Sequence, residues 1–170
     1  MVTPDSSRSV VPEEFRAVLG RFASGITIMS TLQGGVAHAM TANAFTSVSL
    51  EPPLVLVCVD KGVRMHEAVL SRGDWAVSVL AAGDRAVAER FARSGRDLYS
   101  QFDGIDTVPG PKTGCPVIAG ALSWLECRTW ATYDGGDHTI VVGEVLSLGT
   151  GDDPGALIYY AGQYRDLRGS

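Results

Sequence analysis

Short apolar runs separated by turn residues recur along this chain, alternating with a period of two at Trp75, Val77 and Val79, and only three short stretches repeat at the helical period. After Pro12, a residue suited to a first helical turn, Phe15, Val18, Leu19 and Phe22 share a face and predict a short helix ended by Gly25. Residues 26–31 and 36–41 flank Gln33-Gly34-Gly35 and predict a hairpin. Residues 54–60, too short and too β-branched for a helix, predict a buried strand after Pro52-Pro53. A helix of about two turns is expected next, with Met65, Ala68 and Val69 inward. Trp75, Val77 and Val79 then alternate as in a strand, and residues 84–93 return to the helical period before Ser94-Gly95.

The run from Gly95 to Gly114 is rich in Gly, Asp and Pro and predicts a long surface excursion, a kind of loop that is often functional. The last third returns to strands over residues 121–133, 139–148 and 156–162. At least six strands with local turns and few helices predict a mostly β, mostly antiparallel barrel. It is expected to be one domain over residues 11–170, behind a polar tail of residues 1–10. Trp124 and Trp130, evenly spaced on one strand, should share a face, as core or as a dimer contact.

One segment breaks the apolar pattern. Thr41, Asn43, Thr46, Ser47 and Ser49 crowd small hydroxyl and amide groups together before Pro52-Pro53. Thr and Asn suit a helix interior poorly, because they bond to nearby backbone instead. The stretch is either an ordinary polar loop or the lining of a pocket for something flat with polar edges.

Composition narrows the choice. The chain is 45% hydrophobic and 19% charged, which suits a globular fold with a real core. Its net charge of −5 argues against nucleic acid or an anionic membrane surface as the main partner. Cys58, Cys115 and Cys127 are odd in number and far apart, as expected of reduced thiols in a cytoplasmic protein. The N-terminus lacks a signal-peptide core, and no apolar run approaches the ~20 residues of a membrane span.

Motifs for unaided catalysis are missing. Gly149 and Gly151 start a Gly-x-Gly pattern, but Pro154 stands where a third glycine would be needed. There is no Walker loop and no Gly-x-Ser-x-Gly elbow. His38, His66 and His138 have no metal-ligand spacing with the cysteines, so no metal site is expected. This pattern favours chemistry carried by a bound cofactor.

Two stretches point to which cofactor. Thr41-Ala42-Asn43-Ala44 runs through Phe45-Thr46-Ser47-Val48-Ser49 and Pro52-Pro53 into a strand ending Cys58-Val59-Asp60, and Gly136-Asp137-His138 directly precedes another strand. With Arg90-Phe91-Ala92 and the closing Tyr160-Ala161-Gly162-Gln163-Tyr164-Arg165, this arrangement resembles the short-chain flavin reductase family over about Phe15 to Leu167. The resemblance implies an FMN-binding split β-barrel of antiparallel Greek-key type. It implies FMN or FAD as the flavin and NADH or NADPH as co-substrate, with hydride passing directly between them. No catalytic side chain is then required.

Carried over by resemblance, the flavin would be held by Met40, Thr41, Ala42, Asn43 and Ala44, with Thr46, Ser47 and Ser49, and by Cys58, Val59 and Asp60 along the ribityl chain. Lys61, Arg64 and Arg90, the last followed by Phe91, are the candidates near its phosphate. Relatives often carry hydroxyl residues where this chain has Gly62 and Val63. On the residues alone His138 is a turn residue; by resemblance Gly136, Asp137 and His138 place the nicotinamide. His38 and His66 are expected to be structural, and Cys58 a buried apolar residue rather than a redox thiol.

The family resemblance also implies a homodimer that supplies reduced flavin, by diffusion, to a separate oxygenase component. Tyr159, Tyr160 and Tyr164 would lie in or near that interface, or in the core. The rival expectations are a flavin store or electron-transfer module without nicotinamide turnover, and a split barrel for haem or a deazaflavin. A pyridoxamine-phosphate-oxidase-like branch fits the two stretches less well.

Overall fold

Helix α1 (Pro12–Leu19) opens the described part of the chain, which comprises residues 9–152 and 155–167 of the computed structural model. Strands β1 (Ser24–Gly25), β2 (Thr27–Gln33), β3 (Val36–Ala42), β4 (Phe45–Leu50) and β5 (Pro53–Asp60) follow. Next come α2 (Arg64–Arg72), β6 (Asp74–Val79) and α3 (Arg85–Ala92). After a long connection lie β7 (Thr107–Pro109), β8 (Pro116–Ile118), β9 (Ser123–Gly135) and β10 (His138–Thr150). The described part closes on β11 (Ala156–Tyr160) and β12 (Gln163–Leu167).

Seven strands form one sheet in the order β3-β2-β6-β9-β10-β5-β4, every neighbour antiparallel. Laid flat, six strand spacings of ~4.8 Å would hold the two edges about 29 Å apart. Yet the edge strands β3 and β4 are joined by Asn43-Ala44 alone, and three Cα steps reach no further than ~11 Å. The sheet must therefore curl until its edges meet. Together β3 and β4 act as one bent strand, paired with β2 before the bend and with β5 after it. The Cys58 N–H donates to the Ala44 carbonyl at 3.1 Å and carries the β4–β5 ladder back to the bend. This is the antiparallel split barrel that the sequence predicts.

Local patterns explain most elements. Both central residues of the β2–β3 turn, Gly34 and Gly35, have positive φ (59° and 82°), the requirement of a tight hairpin turn. On β5, Val55, Val57 and Val59 point into the core while Leu56 and Cys58 are half-buried, and α2 buries Met65, Ala68 and Val69 as its spacing predicts. Strand β6 departs from simple alternation: Trp75, Ala76, Val77 and Ser78 are all buried. Its outer face is covered by the segment carrying β8, where Cys115 and Val117 pack on Ala76 and the Ile118 N–H donates to Ser78 Oγ (3.0 Å).

Four expectations need correction. Helix α1 stops at Gly20, whose N–H donates to the Arg16 carbonyl, and Gly25 instead sits in β1 opposite Ile158. The Gly95–Gly114 run is not wholly a surface excursion, because its far end is pinned to the barrel by Glu126. That carboxylate, fully buried, accepts from the N–H groups of Lys112 and Thr113 and from the Thr113 hydroxyl. Trp124 and Trp130 do not share a regular face, because Ala131 pairs with Val142 and Thr129 with Gly143, leaving Trp130 as an unpaired bulge residue. Trp124 packs on the Ala76 cluster and Trp130 is exposed. The closing motif around Ala161-Gly162 is a hairpin turn, which adds β12 to the expected strands. Of the predicted polar tail, residues 1–8 lie outside the described residues.

The β9–β10 bulge also makes room for the core tryptophan. A Cβ on Gly143 would stand 2.3 Å from Trp75 Cζ2 and 2.9 Å from Cys127 Cβ. Gly143→Ala should therefore destabilise the fold by about 1–3 kcal/mol, the usual cost of overpacking, read as a lower urea midpoint with an unchanged m-value.

Candidate functional site

The bend at Asn43-Ala44 opens a cavity of about 380 Å³. Its first wall is β3 and the bend, His38 to Ala44, and its second is the end of β5 with the start of α2. The third is the C-terminal end of α3 with the turn after it, Phe91 to Arg96, backed by Leu98 and Gln101. His138 closes one side.

The fold thus gathers Met40, Thr41, Ala42, Asn43, Ala44, Cys58, Asp60, Arg64, Phe91 and His138 around one space. It does not gather the remaining candidates. Thr46, Ser47 and Ser49 lie further along β4, away from the wall, and Thr46 and Ser47 are exposed. Val59 alternates inward and is fully buried in the core. Lys61 clasps the β9–β10 turn: its Nζ donates to Asp134 Oδ1 (2.5 Å) and to the Gly136 carbonyl (2.6 Å), and its N–H to the Asp137 carbonyl (3.0 Å). Arg90 is likewise engaged, donating to the carbonyls of Asp103 (2.6 Å) and Ser100 (3.0 Å), so it ties α3 to the connection beyond it.

Gly136 (φ 79°) and Asp137 form the tight turn that presents His138, without lining the cavity themselves. His138 Nδ1 and Asp137 Oδ1 are 2.7 Å apart, and this bond holds the Asp137 carboxyl below the usual carboxylate range. An ionised Asp137 accepts the proton on Nδ1, so the neutral ring keeps Nε2 as an acceptor. Thr41 spends its hydroxyl proton on the Ala88 carbonyl (2.6 Å), which docks β3 on α3. Burial pushes the Cys58 thiol up, which leaves it an apolar wall element rather than a reactive thiolate. His66 behaves as expected, with Nε2 2.8 Å from Thr139 Oγ1, tying α2 to β10.

Sequence reasoning took His38 as structural, missed Arg93 and Ser94, and marked the run from Gly95 only as a long loop of a kind that is often functional. Arg96 reaches the site by donating to the Ala39 carbonyl (2.9 Å), and Gln101 stands behind it by donating to the Ala37 carbonyl (2.8 Å). Both bonds are long-range, and no local pattern announces them. His38 carried a signal in its position two residues before Met40, on the strand that leads into the polar stretch.

The family model described as flavin reductase like domain matches residues 19–168. The chain belongs to this family. An NADH-dependent FAD reductase of Streptomyces globisporus is 43% identical over 153 residues, covering 89% of this chain and 84% of that protein. The HsaB reductase subunit of a flavin-dependent monooxygenase of Mycobacterium tuberculosis (H37Rv) is 38% identical over 163 residues, 95% of this chain and 85% of that one. Among solved structures, BorF, the flavin reductase component of a bacterial two-component tryptophan halogenase, superposes with a TM-score of 0.88 at 44% identity, over 93% of this chain and 99% of its own. SgcE6, the NADH:FAD oxidoreductase of Streptomyces globisporus C-1027 in complex with NAD and FAD fragments, superposes at 0.83 with 41% identity, over 94% and 96% of the two chains.

His38 makes the stability of the fold depend on pH. Burial first, then the Arg64 charge, lowers its pKa below 6.5, outweighing the opposing pull of Glu67. The folded chain therefore binds fewer protons at this position than the unfolded chain, and stability falls as pH drops through about 6.5. The urea midpoint should decline between roughly pH 7 and 5, and the slope should shrink in His38→Gln.

Proposed function

We propose that this chain is an NADH- or NADPH-dependent flavin reductase that hands reduced flavin to a separate oxygenase component. The observation that carries the proposal is the convergence of the Met40–Ala44 bend, the end of β5 and His138 on one cavity. A flat ring system with polar edges fits such a space. Ala39, Ala42 and Ala44 let the backbone come close, Met65 and Phe91 offer apolar area, and Asn43 supplies a compact amide. When bound, the flavin accepts hydride from the nicotinamide and carries the electrons onward.

The chain's own residues bind and orient. Arg64 takes the flavin phosphate, since it lines the cavity and Lys61 and Arg90 do not. His138, its ring fixed by Asp137, turns an acceptor Nε2 toward the incoming carboxamide. No side chain has to gain or lose a proton, because hydride passes directly from nicotinamide to flavin. Relatives named as reductase subunits of monooxygenases support the oxygenase partner. Three free thiols, with those of Cys115 and Cys127 raised by burial, the latter to about 12, support a reducing, cytoplasmic setting.

The surface supports a homodimer. The apolar face of α1 and the turn after it stays largely exposed among the described residues: Phe15, Val18 and Phe22 are 56%, 68% and 76% exposed. Leu50, Trp130 and Tyr133 add further exposed apolar area. Sedimentation velocity should show a dimer, and Phe15→Asp with Phe22→Asp should shift it to monomer.

Loss of nicotinamide absorbance with FMN, FAD or riboflavin tests the activity directly. Flavin-dependent turnover is expected; flavin binding without turnover would favour a storage or electron-transfer protein instead. His138→Ala should raise the KM for nicotinamide roughly tenfold while weakening flavin binding far less. A collapse of flavin affinity in that variant would overturn the assignment of His138.

A further inference from the structure

His38 stands in the wall of the cavity at the bend, and it is only 8% exposed. Yet neither of its ring nitrogens has a hydrogen-bond partner among the described residues. Nor are they sealed in, because the fully enclosed side-chain polar atoms without a partner there are Ser24 Oγ and Arg96 Nε. A buried imidazole left unpaired is costly, so this one calls for a polar group from a ligand. Strand alternation says which side of β3 it faces. Ala39 packs with Ala88 and Phe91, and the Thr41 hydroxyl donates to the Ala88 carbonyl, so these two residues face α3. His38 shares the opposite face with Met40 and Ala42, which pack with Met65 and Val69 of α2.

The part of α2 in the cavity wall is its N-terminus, with Gly62, Val63, Arg64 and Met65. No side chain caps this helix, and the N–H groups of Arg64 and Met65 meet no acceptor among the described residues. The positive end of the helix dipole therefore opens into the cavity. The Arg64 guanidinium donates to the Arg96 carbonyl and forms no ion pair among the described residues. Of the charged groups, Arg64 and Glu67 of α2 act on His38 directly. Arg93 and Arg96 after α3, Asp60 and Cys58 at the end of β5, and His138 complete the titratable lining. On β2 the residue opposite is the uncharged Thr31. Helix terminus, guanidinium and imidazole together make a place for an anion.

Without a ligand, burial and then Arg64 keep the His38 ring neutral at pH 7, against the pull of Glu67. An anion bonded to Arg64 cancels that repulsion and adds an attraction of its own, so the ring gains a second proton and donates to the anion. We propose that His38 is a further flavin-binding residue, which meets the phosphate end of the flavin beside Arg64 and takes up one proton as the flavin binds. The proton comes from solvent on binding and returns to it on release, and hydride transfer is untouched. The proposal rests on the flavin reductase reading and deepens it by linking flavin affinity to pH. The diphosphate of the nicotinamide dinucleotide has the same chemistry, so the test must separate the two sources.

Isothermal titration calorimetry at about pH 7, in two buffers of different ionisation enthalpy such as Pipes and Tris, counts protons taken up on binding. FAD is the probe, because its diphosphate does not titrate there, whereas a phosphate monoester such as that of FMN does, at about pH 6. The wild-type chain should take up most of one proton with FAD and none with riboflavin, which has no phosphate. Between about pH 6 and pH 8 the FAD dissociation constant should rise about tenfold. His38→Gln should abolish both the uptake and the rise, and still bind FAD at the upper pH as the wild type does. His38→Asn, a second neutral replacement, serves if circular dichroism shows that His38→Gln does not fold. Uptake that persists in the His38 variants and disappears in His138→Ala would move the proton to the other histidine and overturn the proposal. Equal uptake with riboflavin would overturn it too, as would uptake with NAD but not with FAD, or none at all. In each of these cases the reductase reading survives. A wild-type chain that bound no flavin would remove both.

Discussion

Two residues, Asn43 and Ala44, hold the edges of a seven-stranded sheet together. A connection that short cannot span a flat sheet, so it dictates the curl of the barrel, and the curl dictates where a cavity can open. At the bend the ladder of β3 stops and that of β4 begins, so the backbone there has polar groups to offer inward. Small side chains at Ala39, Ala42 and Ala44 keep that backbone approachable. The polar cluster that interrupts the apolar pattern is thus where the barrel is joined and where its ligand site forms.

Around this seam, long polar side chains act mainly on the protein's own main chain. Arg96 and Gln101 fasten the connection after α3 to β3, Thr41 fastens β3 to α3, and Lys61 fastens the histidine turn to the end of β5. Glu126 does the same for the far end of that connection from the outer face of β9, where Gly110 leaves it room: a Cβ there would stand 2.2 Å from the carboxylate. Each such bond contributes only ~1 kcal/mol. Their joint effect is a wall held in place before any ligand arrives, which suits chemistry that depends on positioning rather than on a catalytic side chain.

That division explains the uneven fate of the site candidates. Lys61 and Arg90 read in sequence as cations near a phosphate, and both proved to be fasteners, because a guanidinium or ammonium satisfies a carbonyl as readily as an anion. Arg93, unremarkable in sequence, is the one of the group with an unpartnered side chain among the described residues. Val59 fell to strand alternation, which turns every second residue of β5 into the core.

Periodicity and turn chemistry by themselves determined the strands, the hairpin at Gly34-Gly35, the inward face of α2 and the mostly β, antiparallel class, because each depends on neighbours a few residues apart. The Thr41–Ala44 segment and the Gly136-Asp137-His138 turn were legible as a pair through the family resemblance, not through any local rule. Tertiary structure alone decided that they meet around one cavity, that Glu126 is buried, that Trp130 is a bulge residue, and that Arg93, Arg96 and Gln101 complete the wall. Those outcomes depend on bonds between residues tens of positions apart, such as Gln101 to Ala37, and on a bulge that shifts side chains from one face to the other. Neither leaves a mark on the local pattern of hydrophobic and polar positions.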